Sequence, residues 1–69
     1  MYKLIGRMSD NKDMELLTFY KESMIDTYWH IIEQDDRFIE GMVIQELPNT
    51  MPVCIRYKEY DERKVKIKK

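Results

Sequence analysis

The chain has 69 residues, 43% of them hydrophobic and 36% charged, and a formal net charge of −1. This length holds one domain, spanning residues 1–69, and the composition excludes a disordered chain; the single cysteine, Cys54, excludes an internal disulfide framework and a cysteine-rich zinc site. A lone core of this size supplies only about 3–5 kcal/mol, so self-association as a homodimer is expected.

Charge is segregated along the chain. Residues 1–9 carry two bases and no acid. Residues 10–46 carry ten acids against three bases, and residues 47–69 carry seven bases against three acids. Segregation of this kind creates fields on a folded surface that the net charge does not report.

In chain order, residues 2–8 alternate. Tyr2, Leu4 and Met8 fall on one side and Lys3 and Arg7 on the other, which predicts a strand. Ser9, Asp10 and Asn11 are successive N-cap candidates, with Asp13 and Glu15 placed to complement a helix dipole. From Met14 the spacing becomes helical, putting Leu16, Leu17, Tyr20 and Met24 on one face. Glu15, Glu22 and Asp26 lie opposite, with Phe19 beside them.

Periodicity would carry this helix on through Asp26-Thr27-Tyr28-Trp29-His30-Ile31-Ile32-Glu33. Three arguments oppose that. The segment is rich in β-branched and aromatic residues. Glu33, Asp35 and Asp36 would crowd the negative end of the dipole. A helix over residues 11–34 would be about 36 Å long, more than the roughly 28 Å diameter of a globule this size. The reading adopted is therefore a helix ending near residues 23–26 and a strand over 27–34.

Asp35 and Asp36 then form a hairpin turn into a strand over 37–46, with Gly41 facing His30. Residues 47–52, with Pro48 and Pro52, read as a loop. Residues 53–58 alternate as a strand, 59–64 as a charged turn, and 65–69 as a last edge strand or part of a frayed basic tail over 63–69. The fold class is α+β: one amphipathic helix on an antiparallel sheet of about four strands, in the order β-α-β-β-β.

No catalytic constellation is visible. His30 has Asp26 four residues before it, but a nucleophile and an oxyanion site are missing, so the chain is read as non-enzymatic and without cofactor. His30, Glu33, Asp35 and Asp36 match no metal-binding spacing, so no metal ligands are assigned.

The acidic segment is the most distinctive feature. Glu15, Glu22, Asp26, Glu33, Asp35 and Asp36, with Phe19 and Trp29 as aromatic anchors, form a candidate surface for a larger protein with a basic surface. The expected function is a protein-binding module, an inhibitor of the kind phages and mobile elements carry, occluding a basic and nucleic-acid-binding site.

The alternative is a small nucleic-acid-binding domain using Arg56, Lys58, Arg63, Lys64, Lys66, Lys68 and Lys69, with Tyr57 and Tyr60 for stacking. The N-terminal Met-Tyr-Lys-Leu-Ile-Gly-Arg has no signal-peptide core and no run is long enough to span a membrane, so a cytoplasmic location with no membrane partner is expected.

Overall fold

A computed structural model describes residues 1–63. One helix packs on a four-stranded antiparallel sheet, the expected α+β class. The strands are β1 (Tyr2–Met8), β2 (Asp13–Phe19), β3 (Phe38–Gln45) and β4 (Val53–Glu59), in spatial order β2-β1-β3-β4. A 3₁₀ turn over Glu22–Met24 leads into α1 (Ile25–Glu33). The chain order is thus β-β-α-β-β. Strand and helix have exchanged places in the middle third relative to the sequence reading.

The cause of the exchange is a β-bulge. Tyr2 pairs with Phe19 and Leu4 with Leu17, but Ile5 pairs with Glu15 and Gly6 with Met14, so Leu16 is the extra residue. A bulge inserts one residue into an alternating pattern. It puts Met14 and Leu17 on the same face three residues apart, a spacing that imitates a helical turn.

Residues 9–12 form a hairpin loop rather than a helix cap. Asn11 N–H donates to Met8 C=O at 2.9 Å, Asn11 takes the left-handed conformation with φ 66°, and the Asp10 carboxylate accepts from Lys12 N–H at 3.1 Å. Asn and Asp tolerate such geometry because their side chains bond the local backbone.

Residues 25–33 are helical because Ile25, Tyr28, Trp29 and Ile32 follow i, i+3, i+4, i+7 spacing. Ile25, Trp29 and Ile32 are buried and Tyr28 packs against the same core. The carbonyls at the helix end are answered from far along the chain. Arg63, only 8% exposed, donates from Nη1 to the carbonyls of Ile32, Asp35 and Phe38 at 3.0, 3.2 and 2.9 Å, and from Nη2 to Glu33 C=O at 2.7 Å. Its guanidinium lies 4.0 Å from the Tyr60 ring centroid. Ile32 and Glu33 lie in the last turn of α1, so one cation adds donors at that end of the helix and opposes the negative end of its dipole.

The core lies between α1 and one sheet face: Tyr2, Leu4, Phe19, Ile25, Trp29, Ile32, Phe38, Val43 and Tyr60. Gly41 does not face His30. A Cβ there would come within 2.9 Å of Ile32 Cδ1 and 3.1 Å of Trp29, so the missing side chain lets α1 sit close to β3.

Residues 34–37 join α1 to β3, with Asp35 accepting from Arg37 N–H at 3.1 Å. Residues 61–63 are helical. The expected last strand at 65–69 lies outside the described residues.

Candidate functional site

Among the described residues, the helix covers one face of the sheet and leaves the other uncovered. Strand alternation and register assign residues to the uncovered face: Lys3, Ile5 and Arg7 from β1, Asp13, Glu15 and Thr18 from β2, Glu40, Met42 and Ile44 from β3, and Cys54, Tyr57 and Glu59 from β4. Ile5, Met42 and Ile44 are half-buried in its centre, while Cys54 and Tyr57 are exposed.

Around this apolar stripe runs a charged rim. Arg7 donates to Asp13 at 2.7 Å through Nε and to Glu40 at 3.2 Å through Nη1, and Tyr57 donates its hydroxyl to Glu40 at 2.5 Å. Lys3 lies 3.3 Å from Glu46 and 3.8 Å from Glu15. Among the described residues, Lys3 and Arg7 share this face with Asp13, Glu15, Glu40, Glu46 and Glu59, two bases to five acids, a formal charge of −3.

The rim shifts its own titrations. The hydrogen bond and charge of Arg7 hold the Asp13 carboxyl below its ordinary value, against a smaller opposing effect of burial. Donation to Glu40 pushes the Tyr57 phenol up to about 12, helped by desolvation and by the charges of Glu40 and Glu59.

The acids singled out in the sequence do not gather into one surface. Glu15 belongs to the uncovered face. Glu22 and Asp26 stand at the start of the helical segment, Glu33 near the end of α1, and Asp35 and Asp36 in the turn beyond.

Several of these acids are matched within the chain. Asp26 accepts from Arg56 at 2.6 Å, Asp35 from Arg37 at 2.6 Å, and Glu33 sits 3.5 Å from His30 Nδ1. The hydrogen bond from Arg37 holds the Asp35 carboxyl below its ordinary value. Phe19 and Trp29, expected as exposed anchors, are each 6% exposed. Phe19 stacks on Tyr2 at 5.4 Å and meets Tyr28 edge-on at 5.0 Å. Both are core residues because each falls on the covered side of its element.

The expected basic patch is also dispersed. Arg63 is consumed inside the fold as the cap of α1. Arg56 lies over the Trp29 ring at 5.4 Å while bonded to Asp26, and Lys58 lies over Tyr60 at 5.0 Å. Lys64, Lys66, Lys68 and Lys69 lie outside the described residues. Tyr60 is buried rather than available for stacking on bases. Burial pushes its phenol up, and among the described residues its hydroxyl has no partner that meets hydrogen-bond geometry.

Sequence reading missed Ile5, Met42 and Ile44. The signal was present: β3 is apolar at both parities, with Met42, Val43 and Ile44 in succession, which marks a strand with apolar contacts on both faces.

Among the described residues no three His, Cys, Asp or Glu side chains come together to hold a metal ion, and no helix is long and apolar enough to cross a membrane. Together the fold and the uncovered face define a small α+β domain with one finished and one unfinished sheet surface. Comparison with protein-family models, with curated proteins and with solved structures finds no match.

Proposed function

We propose that the chain is a non-enzymatic, cytoplasmic protein-binding module that docks through the uncovered face of its sheet onto a larger protein with a basic surface. The observation that carries this is the pairing of an apolar centre, Ile5, Met42 and Ile44, with a rim of formal charge −3. Apolar centre and polar rim are the general anatomy of a protein interface. The acidic excess favours encounter with a positively charged partner.

An inhibitor that covers a nucleic-acid-binding site fits this chemistry, since such sites hold their phosphates with Lys and Arg. The acids carrying the reading are those of the sheet face, with Glu15 common to both sets. A second copy of the chain is the competing occupant of the same stripe, although two faces of like charge repel.

The test is retention of a partner from lysate by tagged protein through a salt series. Retention is expected to fall steeply by about 0.5 M salt, where the Debye length is roughly 4 Å. Ile44→Lys together with Glu15→Lys is expected to lose that partner while the thermal unfolding transition survives, and Glu22→Lys on the helix side is expected to keep it. Retention unchanged by the sheet-face pair overturns the proposal. Sedimentation as a dimer that Ile44→Lys dissociates would assign the face to a second copy.

A further inference from the structure

Among the described residues nine large hydrophobic side chains stand exposed, and six of them lie at one end of the sheet: Met1, Tyr20, Leu47, Met51, Val53 and Ile55. The register brings them there. Tyr2 pairs with both Phe19 and Gln45, and Gln45 pairs with Val53. The residue before β1, the residue after β2 and the β3–β4 connection therefore meet at the same end. Glu46 N–H donates to Met1 C=O at 2.8 Å, which holds Met1 beside that connection. Adjacent strands stand about 4.8 Å apart, so the four strand ends are together only about 15 Å wide. Arg63 sits at the opposite end, bonded to Phe38 C=O at the start of β3.

The exposure is large. Met51 is 83% exposed, Tyr20 76%, and the other four between 37% and 56%. At about 200 Å² for a fully exposed side chain of this size, the six leave roughly 650 Å² open to water, and monomeric proteins rarely expose apolar patches above a few hundred Å². Leu47 to Ile55 is also the longest uncharged run of the chain, nine residues in a sequence that is 36% charged. The connection is ordered before anything docks on it. Pro48 and Pro52 fix their own φ, Asn49 takes the left-handed conformation with φ 63°, and the Thr50 hydroxyl donates to Leu47 C=O at 3.3 Å. Such pre-ordering lowers the entropy lost on association.

We propose that this apolar end docks on the same end of a second copy, joining two chains about a two-fold axis. Area supports a second copy: two such ends remove up to about 1,300 Å² from water, within the 1,200–2,000 Å² of specific interfaces. Charge supports it too. The side chains around the end are Lys3, Lys21 and Arg56 against Glu22, Asp26 and Glu46, three bases to three acids, with the Met1 amino group one further cation on Glu46 C=O at 3.2 Å. Two copies therefore meet here without the repulsion that opposes pairing of the sheet faces. Met1 and Met51 are unbranched and adapt to an irregular facing surface. A lipid surface fits less well. Lys3 is matched to Glu46 at 3.3 Å and Arg56 to Asp26 at 2.6 Å, so no cluster of unmatched bases among the described residues of this end meets anionic headgroups. Association through strand ends leaves the sheet face of each copy uncovered, and the dimer presents two of them.

The experiment is sedimentation of the full chain over a wide concentration range, with isotope-filtered NMR on an equal mixture of labelled and unlabelled chains. Expected are a reversible dimer and contacts between copies at Leu47 and Met51. Met51→Asp is expected to weaken the dimer about hundredfold, since a two-fold interface takes the substitution twice and each new carboxylate loses water. Its side chain is exposed, so circular dichroism should show the fold retained. Met51→Leu is expected to keep the dimer within about threefold, and Ile44→Lys on the uncovered face to leave it unchanged. A chain still monomeric at about 1 mM overturns the proposal, because interfaces of this size bind more tightly. So does a dimer that Met51→Asp leaves intact or that Ile44→Lys dissociates. Binding to vesicles of phosphatidylcholine and phosphatidylserine that Met51→Asp abolishes overturns it in favour of lipid. Partner retention by the sheet face is read separately, so either reading can fail alone.

Discussion

The two faces of the sheet are built from the same strands but are finished to different degrees. On the covered face, Leu4 and Val43 have no solvent exposure and the Phe38 ring fills the space above Gly6, where an added Cβ would come within 2.5 Å of it. On the uncovered face, Ile5, Met42 and Ile44 are half-buried, with Lys3 and Arg7 beside them. Close packing of the first kind holds the fold together, because burial and dispersion contacts scale with area removed from water. Partial shielding of the second kind leaves apolar area that another surface can still remove from water. The contrast separates residues that maintain the fold from residues free to serve binding.

Paired truncations on neighbouring residues of β1 test that separation most strongly. Leu4→Ala should cost about 3 kcal/mol, within the range for buried Leu truncations, which is most of what a core this size provides. Ile5→Ala, one residue along and on the other face, should cost about 1 kcal/mol. Denaturant unfolding of both variants checks this, and equal losses would mean that the two faces are equally packed.

Arg63→Ala comes next, at about 2–3 kcal/mol, because it removes the hydrogen bonds of a buried guanidinium to the carbonyls of Ile32, Glu33, Asp35 and Phe38. Arg63→Lys should recover only part of the loss, since an ammonium cannot span four carbonyls as a planar fork does. Circular dichroism melts would read both variants.

The smallest effect is on titration. Tyr57 should ionise near 12, and Glu40→Gln should lower that pKa toward 10, followed by tyrosine-selective NMR. A phenol whose pKa is raised by folding adds stability that is full below about pH 10 and is lost as pH rises through 12. The lowered carboxyls of Asp13 and Asp35 act in the opposite direction. Their contribution is present above the ordinary aspartate pKa near 3.9 and disappears as pH falls through their depressed values.

Strands β1, β3 and β4 were legible in the sequence because each alternates or is bounded by turn residues, and the loop with Pro48 and Pro52 separates two of them as expected. The middle third was not legible, for two physical reasons. The bulge at Leu16 breaks the period of two by which a strand is recognised. The end of α1 depends on Arg63, thirty residues from Glu33, and no local pattern reports a cap supplied from that distance.

The candidate site was legible only in kind. Acid excess in the central segment points to a negative surface. Which acids share a face follows from pairing, which brings Glu40 and Glu59 opposite one another and Glu46 to Lys3. Trp29 and Phe19 illustrate the converse: aromatic residues flanked by acids in sequence turn away from them in space.

The cap supplied by Arg63 also orders events in time. A nascent chain emerges from its N-terminus, and a growing polypeptide can settle only into contacts whose members have already left the ribosome. The first hairpin, β1 with β2, closes early. The last turn of α1 has no guanidinium on its backbone carbonyls until Arg63, some thirty residues later, has been added. A chain cut short before that arginine therefore lacks the latch that closes this end of the helix.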